Sequence, residues 1–329
     1  MIYHNIKEKA FVFSLIATTQ KYSYAQGSKV FNKTSSYKFK RFLDVKYKPN
    51  TLLRDCIETF VKNNPKFDWS KGSLIVDDTV IEKPYAKKIE CSYWTYSSKN
   101  NGFVHGINLT VLIWTDGKLV IPIKSMIYTK DANGEPNQTK NDFAYEALKY
   151  AKRLGINPKD VLFDSKFSSS KILNLIYNND WKYCGQLPCS RNFNGQQLKE
   201  RRFQPTPQKG NLKGVGHVVY VSKHKGRYYV TNATETYVTR EQIVKEYRKR
   251  WAIEVMFREL KQCCHLQDCQ SLKTSQQRRY VDLCLKAHTQ LQEIKNKNGG
   301  SIYAAKTWFL TNQMQVKYNG DKLLNGFAA

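Results

Sequence analysis

Acidic residues are scarce in this sequence of 329: 27 Asp and Glu stand against 54 Lys and Arg, for a formal net charge of +27. Long apolar runs are missing too, and nothing approaches the roughly 18–20 residues that a membrane-spanning helix requires. The nearest stretch, Ala10–Ala17 behind Lys7 and Lys9, is short and lacks a small-x-small cleavage site after it, so a signal peptide is not expected. Cysteine pairs of the C-x-x-C kind are absent. Cys56, Cys91, Cys184, Cys189, Cys263, Cys264, Cys269 and Cys284 are spread thinly along the chain, which argues against a disulfide framework and for a reducing cytoplasm. No internal repeat is present. What the chain does have is apolar material: hydrophobic residues make up 41%, enough for a sizeable core, and this excludes wholesale disorder. Its length suits two or three structural units. A two-to-one basic excess is not what an ordinary metabolic enzyme needs. It favours a polyanionic partner, either nucleic acid or an anionic membrane surface.

Residues 1–66 read as a helical, basic region. Ser23–Phe42 fits two short helices around a polar turn at Asn32–Ser35, the second carrying Lys38, Lys40 and Arg41. This is the layout of a helix-turn-helix, or of a plain solvated basic helix. Leu52, Leu53, Cys56, Ile57, Phe60 and Val61 mark a further helix over Asn50–Asn63, ended by Pro65. From residue 70 the period becomes that of strands. Ser73–Lys83, Phe103–Thr115 and Lys118–Thr129 are β-rich, the last two joined by Asp116-Gly117 with both residues expected at positive φ. A polar loop over Lys130–Lys140 leads to an amphipathic helix stopped at Gly155. A buried strand at Val161–Ser165, a helix at Ser168–Asp180 and a weaker strand at Trp181–Cys189 follow. After a polar, basic stretch comes a hairpin of His217–Ser222 with Arg227–Asn232. Thr239 then opens a long helix to about Cys263, Gln242 completing a capping box. The remaining residues, to 329, read as helical. The expected architecture is an α/β mixed sheet covered by helices, over residues 67–265, with a β-rich insertion at about 190–235.

The chemistry concentrates on the long helix. Tyr247, Arg250, Glu254 and Lys261 fall within about 60° of arc at 100° per residue. Val244, Trp251 and Val255 flank that stripe on one side, Ile253, Phe257 and Leu260 on the other. A polar stripe bordered by apolar residues is expected to be half-buried, and its charges then need partners; an ordinary helix with Glu–Lys pairs is the plainer reading. Two further acids lie in strands, where Asp is depleted: Asp78, beside Asp77 in Ser-Leu-Ile-Val-Asp-Asp-Thr-Val, and Asp164 at the end of Val-Leu-Phe-Asp. If those strands are neighbours and the helix crosses them, Asp78, Asp164 and Glu254 converge. Three carboxylates without histidine suit hard divalent cations, and a pair of such ions suits phosphoryl displacement.

Tyr, two residues, Arg, three residues, Glu, six residues, Lys resembles the signature of bacterial cut-and-paste transposases of the insertion-sequence-four type, met here by Tyr247, Arg250, Glu254 and Lys261. Val-Asp-Asp-Thr resembles the family's first acid motif, with the Asp before Thr being Asp78, and Val-Leu-Phe-Asp its second, Asp164. The spacings are 86 and 90 residues. The resemblance, covering roughly residues 67–265, implies a ribonuclease-H-like fold, with Asp78, Asp164 and Glu254 as catalytic and metal-binding residues for two Mg²⁺ ions, Mn²⁺ substituting. It implies cleavage and strand transfer at terminal inverted repeats, a dimer assembled on double-stranded DNA, and a place at the nucleoid in the bacterial cytoplasm. Tyr247, Arg250 and Lys261 would contact DNA phosphates. No motif identifies an aromatic that stacks on a flipped base. The short insertion and the lack of an obvious C-terminal dimerisation pair fit a compact subgroup or a truncated copy.

Other signals carry less. Cys263, Cys264, His265 and Cys269 match no standard zinc spacing, and buried free thiols explain them better. His105 reads as a core histidine. Lys87, Lys88 and the cluster Lys199–Arg202 are phosphate contacts or solvated surface. The rival functions are a catalytically inactive transposase-derived DNA-binding protein and a ribonuclease-H-like nuclease of another pathway. A membrane-surface or structural protein has only the charge in its favour.

Overall fold

The computed structural model describes residues 2–30, 35–97, 100–130, 137–233 and 239–319. Of the expected turn at Asn32–Ser35 and the loop at Lys130–Lys140, residues 32–34 and 131–136 lie outside these. The helices are α1 (Ile2–Ala17), α2 (Tyr24–Val30), α3 (Ser36–Asp44), α4 (Thr51–Asn63), α5 (Lys140–Arg153), α6 (Ser170–Asn178), α7 (Arg240–Arg248), α8 (Trp251–Cys263), α9 (Thr274–Asn298) and α10 (Ile302–Asn319). The strands are β1 (Ser73–Glu82), β2 (Tyr93–Ser97), β3 (Gly102–Thr115), β4 (Val120–Ile127), β5 (Asp160–Phe163), β6 (Tyr183–Leu187), β7 (Asn192–Phe193), β8 (Gln196–Gln197), β9 (Gln208–Gly210), β10 (Val219–His224) and β11 (Arg227–Thr231). None of these helices is long and apolar enough to cross a membrane. The chain forms two compact units, Met1–Phe60 with Val80–Asn108 and Met256–Ala329, and Val61–Thr79 with Leu109–Val255.

In the first unit α1 packs on α9 and α10. Phe11, Val12, Leu15 and Ile16 of α1 are buried, so the short apolar run is core. Rings of Tyr22, Phe39, Phe42 and Tyr280 surround Phe11 with centroids 5.4–6.0 Å away. On α3 the split is by face: Phe39, Phe42 and Leu43 are buried while Lys38, Lys40 and Arg41 are exposed. Cys263, Cys264, Cys269 and Cys284 are buried free thiols. Both nitrogens of His265 are engaged, one with Asp268 Oδ2 at 2.9 Å and the other with the Thr18 carbonyl at 2.9 Å. That pairing makes the histidine a structural tie between α1 and the end of α8.

Among the described residues the main sheet has nine strands in the order β2-β3-β1-β5-β6-β11-β10-β9, with β4 also paired to β3. β1, β5 and β6 pair in parallel, and the β2–β3, β3–β4, β6–β11, β11–β10 and β10–β9 pairs are antiparallel. This is the mixed, helix-flanked sheet of a ribonuclease-H-like fold. Parallel interior strands are covered on both faces and so read as unbroken apolar runs, as Leu74–Val76 and Val161–Phe163 do, all fully buried. The β10–β11 hairpin extends this sheet, β11 pairing with β6. Asp116 and Gly117 make a different turn from the expected one. Only Gly117 has positive φ (+93°), and Asp116 Oδ1 accepts from both Lys118 N and Leu119 N at 2.8 Å. That side chain, rather than a two-residue reversal, closes the loop.

α5 starts at Thr139, whose hydroxyl accepts from Asp142 N, and α6 at Ser169, which accepts from Ile172 N. Beside α6, the His217 ring stacks on Tyr177 at 4.0 Å and shares a 2.9 Å hydrogen bond with the Tyr183 hydroxyl. Burial lowers the His217 pKa below the ordinary 6.5. A lowered imidazole pKa means that the unfolded chain takes up the proton first, so stability present above about 6.5 is lost as pH falls below it. Between pH 7.5 and 5 the parent's urea midpoint should therefore drop relative to that of His217→Gln, which lacks this loss. Equal slopes in both proteins would remove His217 from the account.

Candidate active site

The parallel register of β1 on β5 decides which acids meet. Val76 pairs with Phe163 at the end of β5, so Asp77 and Asp164 are the residues that follow this pair, the charge of Asp164 acts on Asp77, and successive residues of a strand alternate between faces. Asp78 leaves on the opposite face. The hydrogen bonds follow this alternation. Asp77 Oδ2 accepts from Arg250 Nη1, whose other terminal nitrogen donates to Glu254 Oε1. Asp78 instead accepts from Lys140 Nζ at 2.6 Å and Lys166 Nζ at 3.2 Å. Asp164 caps the helical turn after β5, its Oδ1 accepting from Lys166 N at 2.9 Å.

Arg250 reaches two acids because the expected single helix is in fact two. Lys249, Arg250, Ala252 and Ile253 donate to carbonyls three residues back, at 2.9–3.2 Å. This tight turn separates α7 from α8 without proline or glycine. Buried Glu246 anchors the end of α7, accepting from Lys249 Nζ at 2.5 Å and from Lys159 Nζ, just before β5, at 3.1 Å. Past the break, Trp251 is 59% exposed rather than part of an apolar flank, whereas Ile253, Phe257 and Leu260 are buried as expected. Tyr247 is buried, set edge-on against Tyr229 at 5.2 Å, and Arg250 lies 5.6 Å from its ring centre.

Electrostatics separate the two adjacent aspartates. Burial, with the charges of Asp164 and Asp78 adding to it against Arg250, pushes Asp77 up to about 7. Burial acts on Asp78 too, but Lys140 and Lys166 outweigh it and hold that carboxyl below its ordinary value. Asp164 is raised, chiefly by burial, with Lys166 opposing. Tyr247 is pushed up to about 12 by burial and stays a neutral phenol. Burial would lower Arg250, but Asp77 and its other anionic neighbours raise it, so it stays charged. Glu254, in the first turn of α8, also sits where a helix N-terminus favours an anion.

Lys261 lies two turns further along α8, within the other unit, where its ammonium donates to the Val80 carbonyl at 3.0 Å. Among the described residues no three His, Cys, Asp or Glu side chains stand close enough to share a metal ion. Instead, Asp77 and Glu254 both bind the Arg250 guanidinium, and Asp164 lies within its field. The donor set is nevertheless carboxylate oxygen free of imidazole and thiolate, the chemistry that hard divalent cations take. Lys140, Lys166 and Tyr229 carried no sequence signal of their own. Asp77 did carry one, but only register distinguishes it from its neighbour.

Residues 68–290 match the family model described as transposase DDE domain, and this span holds every acid of the cluster. The chain belongs to that family. It is a transposase in the general sense, an enzyme class that acts on DNA and generally uses divalent metals. No curated protein matches the chain.

Proposed function

We propose that this transposase excises and inserts its own element by cut-and-paste transposition at terminal inverted repeats. Asp77, Asp164 and Glu254 are the residues that would hold the divalent cations. The observation that carries this reading is the Arg250 bridge, which joins acids 177 residues apart in sequence, Asp77 and Glu254, with Asp164 in the field of the same guanidinium. Asp77 thus takes the place that the motif alone gives to Asp78. Bound Mg²⁺ or Mn²⁺ supplies stabilisation of charge on the attacking and leaving oxygens of a phosphodiester.

The chain's own groups do the rest. Arg250 offers a planar fork that fits two phosphate oxygens and, on leaving the carboxylates, frees them for cations. Tyr247 props the guanidinium from below while staying neutral. Lys261 contributes a point charge further along the helix. Lys140 and Lys166 neutralise Asp78 and keep a second anion from repelling the DNA. The protein is expected to act as a dimer assembled on the two element ends.

The test is nicking of labelled duplexes that carry the DNA flanking the reading frame. With Mn²⁺ the expected product is a defined nick bearing a 3′-OH at the element boundary. Binding without a nick in either Mg²⁺ or Mn²⁺ would leave a DNA-binding protein and refute the proposal. Cuts at random positions, or in RNA alone, would point to another nuclease.

A further inference from the structure

The β2–β3 hairpin of the first unit carries rings that face water. Trp94 is 69% exposed, Tyr96 54% and Phe103 71%. The antiparallel register puts Trp94 directly opposite His105 and Tyr96 opposite Phe103, so one hairpin face presents two ring pairs. Their centroids are 5.7 and 5.8 Å apart, in edge-to-face geometry. The Tyr96 hydroxyl donates to Asn101 Oδ1 at 2.8 Å, which fixes that ring from the turn. β2 is the edge of the sheet, and natural edge strands normally carry charge or proline rather than a row of aromatics.

We infer that this hairpin face is a stacking platform for unpaired nucleobases of a DNA strand. Three reasons select that occupant. Each base offers a π-face, and a row of exposed rings beside cations binds single strands by stacking without reading sequence. The cations are at hand: Lys87 and Lys88 are exposed in the segment leading into β2, together with Tyr85 at 94% exposure, in a chain of net charge +27. Spacing agrees as well. Alternate residues along a strand stand about 6.8 Å apart, two base-stacking steps of about 3.4 Å. A second copy of the chain is a poorer fit, because Trp94, Tyr96 and Phe103 together expose roughly 400 Å², half of the about 800 Å² per partner that a stable interface buries.

The inference rests on the DNA-binding reading for its polymer but not on cleavage, and its test uses no cleavage step. Full-length protein is titrated by fluorescence anisotropy with a labelled oligodeoxythymidine 12-mer and with an abasic 12-mer of equal charge. The thymidine strand should bind at least about tenfold more tightly. Trp94→Ala with Phe103→Ala should erase that difference and leave abasic binding unchanged, while Trp94→Phe keeps most of it. Equal binding of the two strands by the parent protein would overturn the platform, as would a double variant that still distinguishes them. A parent protein that sediments as a dimer and a double variant that sediments as a monomer would make the face a protein interface instead. Unchanged circular dichroism in the variants secures the comparison. If nicking fails while the base-dependent difference stands, the transposition reading falls and the platform remains.

Discussion

Asp77→Asn is expected to lower strand cleavage by about 10⁴-fold, the scale of losing one member of a catalytic unit, while binding to element ends changes little. Asp164→Asn and Glu254→Gln should behave alike, and the three should not be additive, since each disables the same site. Asp78→Asn should cost no more than about tenfold, because its carboxylate meets two lysines on the other sheet face. A gel of end-labelled duplex in Mn²⁺ separates these outcomes, and full activity of Asp77→Asn with loss in Asp78→Asn would reverse the assignment. The pH dependence gives an independent check. A carboxyl with its pKa raised to about 7 is protonated below that pH and ionised above it, so cleavage should rise as pH increases through about 7. Cations compete with the proton, and raising their concentration should move the midpoint to lower pH. A rate flat from pH 6 to 8 at low Mg²⁺ would count against Asp77.

Gly185→Val should destabilise the protein by about 3 kcal/mol, the upper end of overpacking costs. Gly185 lies in β6, paired in register with Phe163 of β5. A Cβ there would stand 2.0 Å from Phe163 Cε2, with two more ring atoms within 2.5 Å. Phe163 is fully buried and cannot swing out, so β5 must shift. Asp164 follows that residue directly, and its displacement couples the packing fault to activity. Gly185→Ala combined with Phe163→Leu should recover much of the loss by returning volume to the core. Thermal melts of the two variants and the parent measure this, and a Gly185→Val protein that melts with the parent would show that the β5–β6 packing yields more easily than its geometry implies.

The strands and the acids were legible in the sequence to different degrees. β1, β3 and β4 follow from β-branched runs, and the Thr239 capping box forms as the spacing expects, Gln242 Oε1 accepting from Thr239 N at 2.9 Å. The break between α7 and α8 was invisible, since Arg248, Lys249 and Arg250 are ordinary helix formers and the tight turn is imposed by tertiary ties to Glu246 and Asp77. β2 was missed because exposed Trp94 and Tyr96 alternate with half-buried neighbours, a pattern without the apolar core stripe that marks a strand. Choosing between Asp77 and Asp78 needs the pairing of β1 with β5, a contact across some 87 residues that no local pattern encodes.

Two acids back to back on one strand also make the arrangement tolerant of a particular genetic accident. Loss of a single codon from the apolar run ahead of Asp77 would draw the following residues one step forward, turn each over, and deliver the carboxylate of Asp78 to the α8 side. A gained codon would deliver the inserted neighbour instead and leave that side without an acid. Of frame-preserving lesions in β1, deletions and duplications of one residue therefore have unequal consequences for whether the element can still move.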